Sequence, residues 1–228
     1  MESKEGGIVI SRDNAGINGQ INHECRDIPL SEDVTRVIHE ITTLTLMLMK
    51  TVYVLLCNGF EEIEAITPID LLRRAGANVV LISTEQSLEI TGRSDIEISA
   101  DRNLEDLDAA VLADALILPG GPGHKTLRTD PRVIKLIKMH NTEGKFIAAI
   151  CAAPVILKEA EIIPERYTAH FSVAEELPEI RESETVCSDG NIITSRGAGT
   201  AVEFGLALVE ALYDTSTAKK IADSIHYA

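Results

Sequence analysis

From residue 50 onwards, short and almost wholly apolar blocks alternate with stretches that have the spacing of amphipathic helices. Unbroken apolar runs are typical of parallel strands that are buried on both faces of a sheet. Parallel strands need long crossover connections, and these are usually helices. We therefore predict an α/β sandwich with a mostly parallel central sheet, whose strands are residues 51–57, 78–83, 115–118, 146–150 and 191–194.

The helical stretches carry their own start and stop signals. Pro68 lies inside the first of them, which predicts either a kink or a restart of the helix. Ser172–Glu175 and Thr200–Glu203 both match a capping box, a pattern that opens a helix. Residues 90–98 alternate loosely and predict a hairpin or an edge strand. The predicted helices cover residues 61–75, 130–139, a segment from 152, a short segment from 172, 200–212 and a segment from 217.

The first 49 residues differ from this regular pattern. Gly and Asn are frequent up to residue 30, and apolar residues recur at helical spacing over 31–48. We predict that residues 1–49 are an N-terminal extension, either disordered or a non-native start, with Met49 as the alternative beginning. Residues 50–228 contain no Gly- or Pro-rich linker and are predicted to form one domain.

Charge and composition exclude several classes of protein. The chain has 36 acidic and 21 basic residues and a net charge of −15, so we expect no stable complex with nucleic acid. An apolar content of 45% excludes disorder for most of the chain. The longest apolar stretch, residues 41–57, contains four threonines and Lys50, which makes it a poor membrane span. We therefore expect a cytoplasmic protein that does not bind membranes.

Three of the predicted strands end where the regular pattern is interrupted, at residues 58–64, at residues 120–123 and at Cys151. The carboxyl ends of parallel strands lie at one edge of a sheet, and ligands of open α/β sheets bind there. The sequence therefore predicts one functional site to which all three interruptions contribute.

Cys151 is the strongest candidate for a reactive side chain. It joins a strand directly to a helix, a junction that presents the residue on a sharp turn. The helix N-terminus favours a negative charge, so we expect a thiolate with a pKa below the free value of about 8.5. The alternative is a small buried apolar side chain. The other cysteines, at positions 25, 57 and 187, lack such a setting.

The remaining candidates have weaker signals. Gly120 and Gly121 lack the spacing of a phosphate-binding loop, so we interpret them as oxyanion or substrate-binding residues, or else as a simple turn. The N–H groups of Gly121 and Ala152 are the expected oxyanion donors. Three acidic residues crowd one turn, and at least one of them is expected to point inwards and stay protonated: Glu61, Glu62 and Glu64.

None of the six histidines has the spacing of a metal ligand, so no metal is expected. His170 precedes a predicted helix cap, and it is either a base or a structural histidine. Arg196 follows a strand, where it either binds an anion or braces the loop.

Four separated motifs together resemble the DJ-1/ThiJ/PfpI superfamily, and in particular its DJ-1-like branch. They span nearly all of residues 50–228, and they are Gly59–Glu64, Leu118–Gly121, Ala148–Pro154 and Thr194–Thr200. One departure is Ala153, where several relatives have Gly. The resemblance implies a flavodoxin-like three-layer sandwich that forms a homodimer, and it offers no counterpart to the N-terminal extension.

The resemblance also implies roles for individual residues. Cys151 is the expected nucleophile, Glu64 the buried acid that hydrogen-bonds the thiolate, and Gly121 and Ala152 the oxyanion donors. His170 lies near the position of the family's active-site histidine. Two further residues match positions that line an anion-attracting pocket at or near the dimer contact: Arg74 and Arg93.

The resemblance implies an enzyme that needs no cofactor. The expected activity is that of a deglycase or glyoxalase acting on small reactive carbonyls, or on proteins and nucleotides modified by glyoxal or methylglyoxal, under carbonyl and oxidative stress. One alternative is a redox-sensing, chaperone-like protein in which Cys151 is oxidised without turnover. The last alternative is an intracellular cysteine peptidase, which normally needs a base beside the nucleophile.

Overall fold

A computed structural model of the chain describes residues 49–108 and 111–227. The predicted N-terminal extension lies outside the described residues except for Met49. The described part contains a seven-stranded sheet, formed by β1 (Thr51–Leu56), β2 (Asn78–Ser83), β5 (Arg102–Asn103), β6 (Ala115–Leu118), β7 (Phe146–Ile150), β8 (Val186–Asp189) and β9 (Ile192–Ser195). The strands lie in the order β5-β2-β1-β6-β7-β9-β8, and only β8 is antiparallel to its neighbour. The remaining strands, β3 (Glu89–Thr91) and β4 (Glu97–Ser99), form an antiparallel hairpin.

Helices cover both faces of the sheet, which confirms the predicted α/β sandwich. They are α1 (Glu62–Arg74), α2 (His124–Thr129), α3 (Pro131–Thr142), α4 (Pro154–Glu159), α5 (Ala201–Leu212) and α6 (Thr215–Ser224). Short 3₁₀ turns cover Leu104–Asp106, Phe171–Val173 and Ala198–Thr200. No helix in the described ranges has both the length and the apolar character needed to cross a bilayer.

The core consists of two apolar clusters, one on each face of the sheet. Alternate residues of β1 point to opposite clusters: Val54 packs with α1 and α5, whereas Leu55 packs with α3 and α4. Every residue of β6 is buried, and so are all but the first of β1 and β7. Covering on both faces is the physical reason why these strands are unbroken apolar runs.

Helix α1 runs without a break through Pro68, so the predicted restart is wrong. Pro68 is buried, and α5 packs closely against it at Gly205. A Cβ added to Gly205 would lie 2.6 Å from Leu71 Cδ1 and 3.2 Å from Pro68 Cα. This packing holds the helix together although the proline removes one backbone N–H.

The helix predicted to begin at Thr200 and end at Leu212 is confirmed as α5, but neither predicted capping box forms. Thr200 precedes α5, but its hydroxyl bonds the Gly197 carbonyl at 2.9 Å and Ser195 Oγ at 2.7 Å rather than capping the helix. At Ser172 there is only a 3₁₀ turn, and His170 caps it. The sequence pattern missed β8, which is partly polar, and α2, which follows a Gly- and Pro-rich loop.

Candidate active site

The carboxyl ends of β1, β6, β7 and β9 lie at one edge of the sheet, as the parallel pairing requires. Hydrogen bonds join the loops that follow β1 and β6. The Glu61 N–H donates to the Gly120 carbonyl at 3.2 Å, and the Gly123 N–H donates to the Gly59 carbonyl at 3.0 Å. The predicted convergence of the three sequence interruptions is therefore present in the fold.

Cys151 lies on a sharp turn directly after β7. Its φ of +64° is in the left-handed region, which a residue with a side chain adopts only at a cost in free energy. Its N–H donates to the Ser195 carbonyl at 2.9 Å, and its carbonyl accepts the His170 N–H at 2.8 Å. These two bonds hold the strained backbone in place, and the side chain is half-buried.

Glu64 is the one of the three glutamates that points at Cys151. It is the third residue of α1 and only 1% exposed. Its Oε2 accepts the Gly120 N–H at 3.0 Å, and its carboxyl is hydrogen-bonded to the thiol of Cys151. The other two glutamates have local roles: Glu61 caps α1 by accepting the Glu64 N–H at 2.8 Å, and Glu62 accepts the Ser94 N–H at 2.6 Å.

Gly120 allows the carboxyl and the thiol to meet. A Cβ at this position would lie 2.6 Å from Glu64 Oε2, 2.6 Å from Cys151 Cβ and 3.1 Å from Cys151 Sγ. Such distances are far below van der Waals contact, so any side chain here would push the two groups apart. Because the Gly120 N–H is bonded to Glu64, it is not a free oxyanion donor.

The backbone N–H groups of Gly121 and Ala152 both lie near the sulfur of Cys151 and lower its pKa. They come from different strand ends, yet they converge on one atom. Donors fixed beside a nucleophile can also hold the negative oxygen that forms when the nucleophile attacks a carbonyl.

The pKa of Glu64 is raised to about 7, mainly because burial disfavours its charged form. The neighbouring Glu61 carboxylate raises it further. The hydrogen bonds from the Cys151 thiol and from the N–H groups of Gly120 and Ala198 act in the opposite direction. Near neutral pH, Glu64 is therefore able both to hold and to release a proton.

Burial, followed by the charge and the hydrogen bond of Glu64, raises the pKa of Cys151 to about 12. The expectation of a pKa below 8.5 is therefore wrong. Helix α4 begins only at Pro154, three residues beyond the thiol, whereas the carboxylate contacts the thiol directly. The N–H groups of Gly121 and Ala152 lower the pKa but do not outweigh these effects.

His170 lies close to the same pair. A Cβ at Gly197 would be 3.5 Å from His170 Cδ2, 3.7 Å from Glu64 Oε1 and 3.9 Å from Cys151 Sγ, so these three groups surround one glycine. The Nδ1 of His170 lies 2.8 Å from Ser172 Oγ and accepts the Ser172 N–H at 3.2 Å. In a neutral ring the proton then lies on Nε2.

A cavity of about 570 Å³ lies beside this cluster. Its lining residues are Ala169, His170, Phe171, Glu182, Arg196, Gly197, Ala198, Gly199 and Thr200. Gly197 and His170 belong both to the cavity and to the surroundings of Cys151, so the cavity adjoins the nucleophile, which is not itself part of the lining. In the described ranges no cluster of His, Cys, Asp or Glu has the arrangement of a metal site.

The family model described as the DJ-1/PfpI family matches residues 50–211. The chain belongs to the DJ-1/PfpI family. Protein dj-1beta of Drosophila melanogaster is 33% identical over 181 residues, which cover 77% of this chain and 96% of that protein. A Caenorhabditis elegans relative described as glutathione-independent glyoxalase DJR-1.2 is 36% identical over 156 residues, or 67% of this chain and 82% of that one.

Some curated relatives are much longer than the matched part of this chain. Protein DJ-1 homolog B of Arabidopsis thaliana is 35% identical over 186 residues, which cover 76% of this chain but only 40% of that protein. Among solved structures, oxidized Toxoplasma gondii DJ-1 matches with a TM-score of 0.75 and 34% identity, covering 78% of this chain and 99% of that one. DJ-1beta from Drosophila melanogaster matches with a TM-score of 0.76 and 33% identity, covering 79% of this chain and 99% of that one.

The three predicted arginines lie in different places within this DJ-1/PfpI chain. Arg196 lines the cavity, and its Nη1 donates to the Glu182 carbonyl at 2.7 Å. Arg74 ends α1, about 15 Å along the helix axis from Glu64 at 1.5 Å per residue, and it is exposed and paired with Asp70 at 2.8 Å. The structure therefore does not bring Arg74 to the nucleophile.

Arg93 follows β3, and its backbone N–H donates to the Phe60 carbonyl at 2.8 Å. This bond places its backbone beside the loop that leads into α1, but its side chain is exposed and is not among the cavity lining.

Sequence reasoning missed the roles of two contributors to the site, one of which, Glu61, it named only as a possible inward-pointing acid. Glu61 raises the pKa of Glu64 through its charge, and the N–H of Ala198 bonds the Glu64 carboxyl. An acidic residue three positions before Glu64 is a capping signal that could have pointed to the first of these. The second depends on a contact across the sheet edge, and no local pattern in the sequence signals it.

Proposed function

We propose that this DJ-1/PfpI protein is a cofactor-independent glyoxalase or deglycase that uses Cys151 as its nucleophile. The observation that carries the proposal is the contact between the Cys151 thiol and Glu64, a buried carboxyl whose pKa is about 7. As a carboxylate near neutral pH, Glu64 can act as a general base that accepts the thiol proton when the sulfur attacks a carbonyl, so no external base is needed.

In the proposed reaction the thiol proton moves to Glu64. This transfer neutralises the carboxylate whose charge opposes the thiolate, so the remaining charge on sulfur is stabilised by the N–H groups of Gly121 and Ala152. The thiolate then attacks the aldehyde carbon of methylglyoxal. A carbon–sulfur bond forms, and the aldehyde oxygen becomes an oxyanion held by the same two donors.

The hemithioacetal next loses the hydrogen of the former aldehyde carbon as a proton, and a proton returns to the neighbouring carbon. Glu64 and His170 are the groups near the sulfur that can carry these protons. The aldehyde carbon is thereby oxidised and the ketone carbon is reduced within one molecule, so no external oxidant or reductant is needed. Water then cleaves the resulting thioester, which releases lactate and restores the thiol.

The same nucleophile serves the deglycase reaction. There the thiolate displaces the amine or thiol of the modified molecule from the aldehyde-derived carbon of a methylglyoxal adduct: the new carbon–sulfur bond forms as the bond to that amine or thiol breaks, and the released group takes up a proton. The product is the same hemithioacetal that forms from free methylglyoxal, and the proton transfer to the neighbouring carbon and the hydrolysis of the thioester follow as before.

The proposal is tested by the formation of lactate from methylglyoxal. We expect the Cys151→Ser variant to lose activity by at least about a hundredfold, because a hydroxyl is far less acidic than a thiol. Cys187→Ser is the matched control, since Cys187 is 1% exposed and lies in β8, outside the site. Equal lactate formation by the wild type and Cys151→Ser would contradict the proposal.

A redox sensor is the second candidate, and one observation favours it. Cys151 is half-buried, whereas the other cysteines in the described part of the chain, Cys57 and Cys187, are each only 1% exposed. Hydrogen peroxide would therefore oxidise the Cys151 thiolate first, giving a sulfenate and water. Mass spectrometry after mild peroxide treatment tests this, and earlier oxidation of Cys187 would count against it.

The geometry favours a peptidase less. The side chain that hydrogen-bonds the thiol is Glu64, whereas Nδ1 of His170 is bonded to Ser172. The homodimer and the cytoplasmic location stay predictions, which sedimentation and cell fractionation can test.

A further inference from the structure

Phe171 is a large apolar side chain placed where water reaches most of it. It is 75% exposed, the highest value among the large apolar residues in the described ranges, where the next is Val111 at 57%. An aromatic ring left in water forgoes the free energy that burial would give it. The ring also lines the cavity beside Cys151, so its position has a direct consequence for what that cavity can bind.

The ring of Phe171 is held in place. It packs against the ring of His170, with centroids 4.1 Å apart and planes tilted by 34°. Ser172 fixes the His170 ring through two contacts with Nδ1, and the His170 N–H donates to the Cys151 carbonyl. Phe171 is therefore an aromatic surface that His170 links to the backbone of Cys151. A surface held in place in this way loses little conformational entropy when a ligand binds.

The cavity is also much larger than a three-carbon dicarbonyl requires. Its volume of about 570 Å³ lies within the range of about 300–1,000 Å³ that is typical of pockets for drug-sized ligands. Small residues, among them Gly197, Ala198 and Gly199, form part of its lining and leave it open. The substrate thus has room for a substituent beyond the reacting carbonyl.

We propose that Phe171 determines substrate specificity by stacking on a planar, aromatic substituent attached to the reacting dicarbonyl. This inference rests on the proposed function and names the class of substrate that the site prefers, namely aryl-substituted α-oxoaldehydes over short aliphatic ones. Phe171 contacts the substituent, whereas Cys151 and Glu64 act on the carbonyl end. Attack on the aldehyde, the proton transfers and the hydrolysis are unchanged, so phenylglyoxal and water give mandelate.

The test compares kcat/KM for phenylglyoxal and for methylglyoxal. In Phe171→Ala we expect the ratio of the two values, phenylglyoxal over methylglyoxal, to fall about three- to tenfold, which is the range for the loss of one aromatic pair. Phe171→Tyr keeps the ring and should keep the ratio within about twofold. Val111→Ala shortens another exposed apolar side chain, outside the cavity, and should leave the ratio unchanged.

An unchanged ratio in Phe171→Ala would overturn the inference while leaving the proposed function intact. Sedimentation of the same variant gives a second check: if its oligomeric state changes and both substrates are affected equally, Phe171 serves a contact between copies, and the inference is wrong.

A binding measurement separates the inference from the proposed function. Benzoylformate and pyruvate are unreactive analogues with and without the ring, and each can be tested for protection of Cys151 against alkylation. We expect Phe171→Ala to weaken protection by benzoylformate three- to tenfold relative to pyruvate, even if the wild type turns over neither dicarbonyl. Equal weakening for both analogues would contradict the inference.

Discussion

Replacing Glu64 with Gln removes a buried charge while keeping the size and the hydrogen-bonding ability of the side chain. The folded state holds the Glu64 proton more tightly than the unfolded state does, because burial raises the pKa from 4.5 to about 7. The stability that this proton contributes is fully present below pH 4.5 and is lost as the pH rises through 7. At about 1.4 kcal/mol per pH unit, the loss amounts to about 3 kcal/mol.

Glu64→Gln stays neutral and should escape this loss. We expect the difference in the free energy of unfolding, variant minus wild type, to increase by about 3 kcal/mol between pH 4.5 and pH 8. Urea unfolding at a series of pH values measures this difference. The contributions of the other titrating groups cancel in it, because both proteins contain the same groups. Glu89→Gln, which removes an exposed carboxylate, controls for a general effect of lost negative charge. A difference that is constant over this pH range would refute the reasoning.

Two further perturbations test the packing around the site and the core. Gly120→Ala should slow the alkylation of Cys151 at least about tenfold and destabilise the fold by about 1–3 kcal/mol, because its Cβ would lie 2.6 Å from two side-chain atoms. Gly199→Ala, where a Cβ meets nothing within 4 Å, should do neither. His140 is fully buried, and burial lowers its pKa, so its contribution to stability should fall as the pH drops below about 6.5. In urea unfolding, His140→Gln should therefore lose less free energy of unfolding between pH 7 and pH 5 than the wild type does.

The central strands could be predicted because burial on both faces leaves an unmistakable sequence pattern. The predicted strands 115–118 and 146–150 have the same bounds as β6 and β7. Strand β8 was missed because it lies at the sheet edge, pairs with β9 alone and has two apolar residues followed by two polar ones, so it is not an unbroken apolar run. Strand β8 forms because β9 pairs with it, and the sequence of residues 186–189 alone does not indicate that pairing.

The candidate site, like the fold, could be predicted from the sequence only in part. The turn at Cys151 could be predicted, because the sequence has no linker between the strand and the helical segment that follows it, although that helix begins only at Pro154. The direction of its pKa could not, because burial and a carboxylate from a distant helix outweigh the local backbone donors. Likewise Phe171 and His170 are adjacent in the sequence, but only the fold places both rings at the cavity.

The most direct test of the proton transfer between Cys151 and Glu64 is the rate of alkylation of Cys151 as a function of pH, followed by mass spectrometry. Glu64 loses its proton near pH 7, and the carboxylate that forms is the base that accepts the thiol proton during alkylation. The rate should therefore rise to a plateau with an apparent pKa near 7. A rate that shows no inflection there and instead climbs about tenfold per pH unit up to pH 10 would show that the thiol loses its proton only to solvent, and it would contradict the mechanism.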